Sequence, residues 1–210
     1  MVWRQASAQG AVGEPRVSVG WVELTASAGG SGIKVNVYTL GRAVIGGRSG
    51  SDTLKGGSEN DVIMAGGGSD VVNGGSGNDL IMGSGGNDNL SGDDGSDTIR
   101  GGIGRDTIDG GSESDLLDGG SGRDLISGGD GNDWIRGGRG RDYLDGGADD
   151  DTAFGGAGHD TMIGGQGTDN LTCQQSLADV IPLTREATND ILPVTRSDHS
   201  IQLPKTPGAP

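Results

Sequence analysis

An aspartate recurs every nine residues from position 52 to position 169, and a carboxylate on so strict a period invites a chemical reading. The column is Asp52, Asp61, Asp70, Asp79, Asp88, Asp97, Asp106, Asp115, Asp124, Asp133, Asp142, Asp151, Asp160 and Asp169. Two residues after each stands an apolar side chain, running Leu54, Ile63, Val72, Ile81 and on to Leu171, with Ala153 as the one small member. Cutting the chain at Gly47 gives 14 blocks of nine over residues 47–172, without insertion or deletion. The block reads G-G-x-G-x-D-x-U-x, where U is a large aliphatic. Its first residue is glycine in every block except the one that Ala65 opens. Its fourth is glycine in 11 blocks, and Glu59, Glu113 and Asp149 take the others.

The chemistry this suggests is cation binding by oxygen. Glycines at positions 1, 2 and 4 are expected to allow positive φ, and a tight turn aims several backbone carbonyls at one point. With the aspartate added, the turn offers hard oxygen ligands only. Calcium accepts six to eight oxygens in flexible geometry, whereas magnesium demands a stricter octahedron. The candidate metal ligands are therefore the fourteen aspartate carboxylates. Backbone carbonyls around Gly74, Gly75, Gly77, Gly101, Gly102, Gly104, Gly119, Gly120, Gly122, Gly128, Gly129, Gly131, Gly137, Gly138 and Gly140 complete the set. No Cys/His cluster suits zinc, and His159 and His199 stand alone. Neither an HExxH helix nor a G-x-S-x-G elbow is present, so no catalytic residue is expected and the chain reads as a non-enzyme.

The elements that must hold these turns are strands. Position 7 is rich in strand formers such as Thr53, Val62, Val71, Trp134 and Tyr143. Side chains alternate along a strand, so position 8 faces a core while positions 7 and 9 face out. The nonapeptide closely resembles that of the RTX (repeats-in-toxin) family of hemolysin-type calcium-binding repeats, and the likeness covers 60% of the chain. The resemblance implies an all-β fold, a parallel β-roll of about seven two-block coils with calcium between the turns. Odd blocks would stack along a first edge (Asp52, Asp70, Asp88, Asp106, Asp124, Asp142, Asp160) and even blocks along a second. Six gaps per edge set a ceiling of about 12 calcium ions. The roll would be roughly 30 Å long.

Composition fits a fold that needs its cation. Glycine supplies 46 of 210 residues, hydrophobic content is 30% and the formal net charge is −15. Low hydrophobicity with high net charge is a signature of disorder unless the charge is neutralised. The repeats carry −16 and the flanks +1, so the acidity belongs to the blocks. A chain disordered without metal and folded with calcium follows from linkage. Such acidity excludes nucleic acid as a partner. One cysteine, Cys173, excludes an internal disulfide. No membrane span is expected, and no N-terminal signal peptide is visible.

Three regions result: a β-hairpin or capping segment over 1–46, the β-roll over 47–172, and a C-terminal cap with a Pro-rich, disordered tail over 173–210. The period extends weakly back over 38–46, with Ile45 at position 8 and Ala43 in place of aspartate, which suggests a metal-free rung. The fourth-position replacements all fall on the second edge, so the first is expected to bind calcium more uniformly. The block 146–154 is the weakest rung, joining Asp149 to Ala153. The even outer face is the more apolar, with Val62, Met64, Leu80, Met82, Leu116, Trp134 and Phe154, and offers a surface for a flanking segment, an attached domain or a partner. By resemblance the module is extracellular, exported by a route such as type I secretion, and its folding in calcium aids export and stabilises an attached domain. The alternative is an accessory polysaccharide-binding or adhesive module of a larger secreted enzyme or toxin.

Overall fold

The computed structural model describes residues 41–172 and, as backbone alone, three strands before them, β1 (Arg4–Ala8), β2 (Val22–Ala26) and β3 (Lys34–Asn36). Fifteen strands follow, from β4 (Ala43–Ser49) and β5 (Thr53–Gly57) to β17 (Thr161–Gln166) and β18 (Asn170–Thr172). They form two sheets. One has ten strands in the order β1-β2-β4-β6-β8-β10-β12-β14-β16-β18, the other eight in the order β17-β15-β13-β11-β9-β7-β5-β3. Successive strands of the repeat region thus alternate between sheets. Pairing is parallel in both, one coil of 18 residues apart, as in Ile99↔Leu117 and Ile108↔Ile126. The result is a β-solenoid whose nonapeptide region makes about seven turns.

The core consists mainly of position 8 side chains, one file from each sheet. Leu54, Ile63, Ile81, Leu90, Ile99, Ile108, Leu117, Ile126, Ile135, Leu144 and Met162 are all buried, and Ala153 is buried between Ile135 and Leu171 on the ten-stranded ladder. Strands run longer than positions 7–9 alone. They continue through positions 1–3 of the following block, as in β10 (Thr98–Ile103) and β11 (Thr107–Ser112), because the parallel ladder pairs even position 2 from coil to coil, for example Gly102↔Gly120.

Position 1 glycines have a different cause from the one expected. Among the described residues positive φ falls at positions 2 and 4 of every block except 56–64, never at position 1. Position 1 faces the interior, and a Cβ there has no room. At Gly119 it would stand 2.7 Å from Asp124 Oδ2 and 2.7 Å from the Gly137 carbonyl oxygen. Positions 2 and 4 need glycine for conformation, and their substitutes Arg48, Ser84, Asp93, Glu113 and Asp149 do hold positive φ, between 70° and 89°. The neighbours Gly85 and Gly86 separate these effects. Gly85 has open space around a built Cβ, whereas Gly86 has φ 131° and its Cβ would run into the Gly68 carbonyl. In calcium, Gly85→Ala is expected to be neutral or to stabilise by up to about 1 kcal/mol, and Gly86→Ala to cost about 1 kcal/mol or more. Urea midpoints of the two variants measure the contrast.

The strands before the repeats correct the expected hairpin. Val22–Ala26 pairs in parallel with Arg4–Ala8 and with Ala43–Ser49, while Lys34–Asn36 pairs in parallel with Thr53–Gly57 in the other sheet. The two segments add rungs to opposite sheets instead of pairing with each other. An alternating apolar pattern fits both arrangements, and the pattern alone does not choose the partner. The rung at 43–49 is present, with Ala43 and Ile45 fully buried. The cap and tail expected over 173–210 lie outside the described residues. No helix among the described residues is long and apolar enough to cross a membrane.

Candidate metal centre

Each aspartate leaves its turn just before a strand begins, and this places its carboxylate inside the roll. All fourteen are buried, at 4% exposure or less. They form two columns, one along each edge, with a period of 18 residues. The backbone around them is tied from coil to coil. The aspartate carbonyl accepts the N–H of the position 7 residue one coil on, as in Thr107 to Asp88 at 2.8 Å. One carboxylate oxygen, Oδ1, accepts the N–H of the position 6 residue one coil back. The series runs from Ala43 to Asp61 at 2.6 Å through to Asp151 to Asp169 at 2.9 Å.

The other oxygen, Oδ2, is buried without a hydrogen-bond partner in all fourteen. A buried carboxylate oxygen so left is costly. Burial pushes Asp88, Asp106 and Asp115 up to about 6, and Asp79, Asp97, Asp133 and Asp142 up to about 7. Asp151 reaches about 8, again chiefly through burial, with the charges of Asp133, Asp169 and Asp149 adding to it. The N–H bond from the preceding coil works the other way and is too weak to offset burial.

Backbone oxygens surround the orphaned ones. At Gly101, Gly110 and Gly119 the space a Cβ would take is bounded by the aspartate Oδ2 of the same block and by the position 1 carbonyl of the next coil, namely Gly119, Gly128 and Gly137. The carbonyls of Gly74 and Gly101 stand in the same relation to Gly56 and Gly83. Carbonyls of positions 2 and 4 point the opposite way, toward the following coil. Those of Gly102, Gly104, Gly120 and Gly122 face Gly120, Gly122, Gly138 and Gly140. The carbonyls of Gly77, Gly129, Gly138 and Gly140 do the same toward Gly95, Gly147, Gly156 and Gly158. Carboxylate and carbonyl oxygens therefore border the gaps between coils. Among the described residues no three acidic, histidine or cysteine side chains gather round one point. A cation held there would draw much of its shell from backbone carbonyls. These residues fit a hard divalent ion, which would give the stranded Oδ2 atoms a partner and relieve the burial of their charge.

A family model for the RTX calcium-binding nonapeptide repeat, of four copies, matches residues 46–81, 82–117, 109–144, 118–153 and 137–171. The chain belongs to the RTX calcium-binding repeat family. Its repeats bind calcium, and its fold is that of a calcium-binding module, not a catalytic fold. A search of the curated proteins finds no match to the chain.

The two edges of this RTX roll differ in a way that sequence reasoning passed over. On the second edge, position 5 side chains tie turn to turn. Asn60 Oδ1 accepts the Asn78 N–H at 2.9 Å and Asn78 Oδ1 accepts the Ser96 N–H at 3.2 Å. Ser114, Asn132 and Asp150 continue the ladder toward Asn132, Asp150 and Thr168. Glu113 closes the remaining gap, its Oε2 accepting the Gly95 N–H at 2.7 Å. The first edge has one such bond among the described residues, from the Arg105 N–H to Asn87 Oδ1 at 2.8 Å. The signal lay in the sequence at period 18. Position 5 of even blocks is always a short hydrogen-bonding residue, whereas odd blocks change to Arg105, Arg123, Arg141 and His159. Glu113 and Asp149 bring positive φ, as a replaced glycine would, but the Glu113 carboxylate also serves as a tie between turns.

Proposed function

We propose that this chain is a calcium-binding β-roll module that folds on meeting extracellular calcium, which aids its secretion and stabilises a domain attached to it. The observation that carries the reading is the set of buried Oδ2 atoms without a hydrogen-bond partner, stacked in two columns. The side-chain ligands are the fourteen aspartates, supported by the position 1, 2 and 4 carbonyls. The gaps between coils allow about 12 ions. RTX repeats are typical of secreted proteins, and millimolar calcium outside a cell against scarce calcium inside supplies the switch. The even outer face, where Met64, Leu80, Leu116 and Trp134 are exposed, is the surface for the attached domain. The odd face exposes Val71, Leu125 and Tyr143. An accessory role on a polysaccharide or as an adhesive would draw on Trp134, whose ring lies 5.2 Å from that of Phe154 on the even face.

Far-UV circular dichroism during a calcium titration tests the reading, with magnesium as control. A cooperative rise of β signal with calcium alone is expected. A spectrum already β-rich after metal removal at neutral pH, and unchanged by calcium, would remove the folding switch.

A further inference from the structure

Within the fourteen nonapeptides the exposed charges of the turns are sorted by edge, while the rung before them places Arg42 on the second edge, bonded to the Asn60 carbonyl at 2.8 Å. In positions 3–5 of the odd blocks the charged residues are Arg105, Arg123, Arg139 and Arg141, all exposed, with no acid among them. In the same positions of the even blocks they are Glu59, Asp94, Glu113, Asp130, Asp149 and Asp150, all exposed, with no lysine or arginine. Four arginines gathered on one edge of a chain of net charge −15 call for an explanation. None of the four makes a side-chain hydrogen bond or ion pair with a described residue, unlike Arg100, which reaches Asp118 at 3.8 Å.

The two columns also match in height. Acids at Asp94, Glu113, Asp130 and Asp149/Asp150 belong to four consecutive coils, and arginines at Arg105, Arg123 and Arg139/Arg141 belong to three of the same stretch. Both columns step by one coil, about 4.8 Å. We infer that the basic edge docks the acidic edge of a second copy of this chain, the two rolls lying side by side with parallel axes and rung opposite rung. Sideways translation alone brings the columns into register. Each copy keeps one edge free, so the contact is heterologous and open-ended and builds a lateral ribbon. A linear polyanion would engage the arginines but leave the matched acidic column without a role. Nucleic acid is opposed by the net charge. Copies also repel one another through that charge, so the association belongs to the calcium-loaded roll, and in this respect it rests on the calcium reading above.

Sedimentation velocity of the full chain in calcium tests it. At about 20 mM salt the weight-average mass should rise about twofold or more with protein concentration, and at about 500 mM it should return to the monomer, since exposed pairs are screened. R105E/R123E/R141E, with two acidic edges, should stay monomeric, and so should D94K/D130K. An equimolar mixture of the two variants should associate, an outcome that damage to the fold would not produce. Circular dichroism in calcium establishes that each sample is folded, so a failed calcium switch is told apart from a failed contact. A folded monomer at low salt, or association undiminished in R105E/R123E/R141E, would overturn the inference. A low-salt monomer that binds polygalacturonate would put a linear polyanion in place of the second copy.

Discussion

Freed of metal by dialysis, the chain should gain β structure as the pH falls from about 8 to about 5, the reverse of ordinary acid denaturation. Eight buried aspartates have folded-state values of about 6 to 8, against 3.8 for the unperturbed group. Between those limits the folded state holds protons that the unfolded chain has released. Stability then falls as pH rises, because the slope with pH follows protons bound unfolded minus protons bound folded. The stabilisation is fully present below the unfolded value and lost as pH climbs through about 6 to 8. A proton on Oδ2 removes the buried charge, which is part of what a cation would do there. Calcium should abolish the trend by holding the roll at pH 8. Far-UV circular dichroism against pH, with and without calcium, is the measurement. Dilute samples kept above pH 5 avoid the region near the sequence pI of about 4.2, where low net charge favours association. A metal-free chain equally unfolded at pH 5 and pH 8 would mean that buried carboxylates are not what opposes folding.

Much of this architecture was legible because two signals share one period. Aspartate and a large aliphatic two residues apart, as in Asp79 and Ile81, fix which side chains enter the interior and how often the chain turns. The columns, the two edges and the core of facing position 8 side chains follow from that phase. What the sequence did not disclose depends on contact across coils. Gly119 and Gly120 are indistinguishable in the motif, yet the first is glycine because Asp124 and Gly137 crowd it, the second because its φ is 98°. The strands Val22–Ala26 and Lys34–Asn36 read as a hairpin because each alternates. Their partners are 18 or more residues away in sequence, so local pattern had no means of naming them. The position 5 ladder was missed for a related reason. Asn60 and Asn78 are unremarkable in a nonapeptide alignment, and only the 18-residue coil puts one above the other.

The same buried oxygen should make one substitution act with opposite signs in the two states of the protein. Asp142→Asn keeps a carbonyl oxygen to accept the Asp124 N–H, a bond of 2.9 Å. It replaces the unpartnered Oδ2 with an NH₂ group. That atom stands 2.8 Å from the point where Gly137 would carry a Cβ, and the Gly155 carbonyl oxygen stands 2.6 Å from the same point. The amide thus brings donors to a space that the Gly155 carbonyl oxygen also borders, where the carboxylate brought only acceptors. Without metal, the variant loses a buried charge and a stranded acceptor, which should stabilise the roll by about 1–3 kcal/mol. In calcium it should lose a charged oxygen ligand, with destabilisation of similar size, about 1–3 kcal/mol. The metal-free chain should then keep its β signal to a higher pH than the unsubstituted chain, while the calcium midpoint at pH 7.5 moves to a higher concentration. Extending the change to Asp124 and Asp160, its neighbours one coil away on the same edge, should enlarge both shifts together. Asp130→Asn, on the exposed surface, should move neither. If Asp142→Asn shifted both midpoints toward lower stability, the carboxylate would be a packing element that favours the roll in either state. If it left the calcium midpoint in place, Asp142 would not be among the ligands.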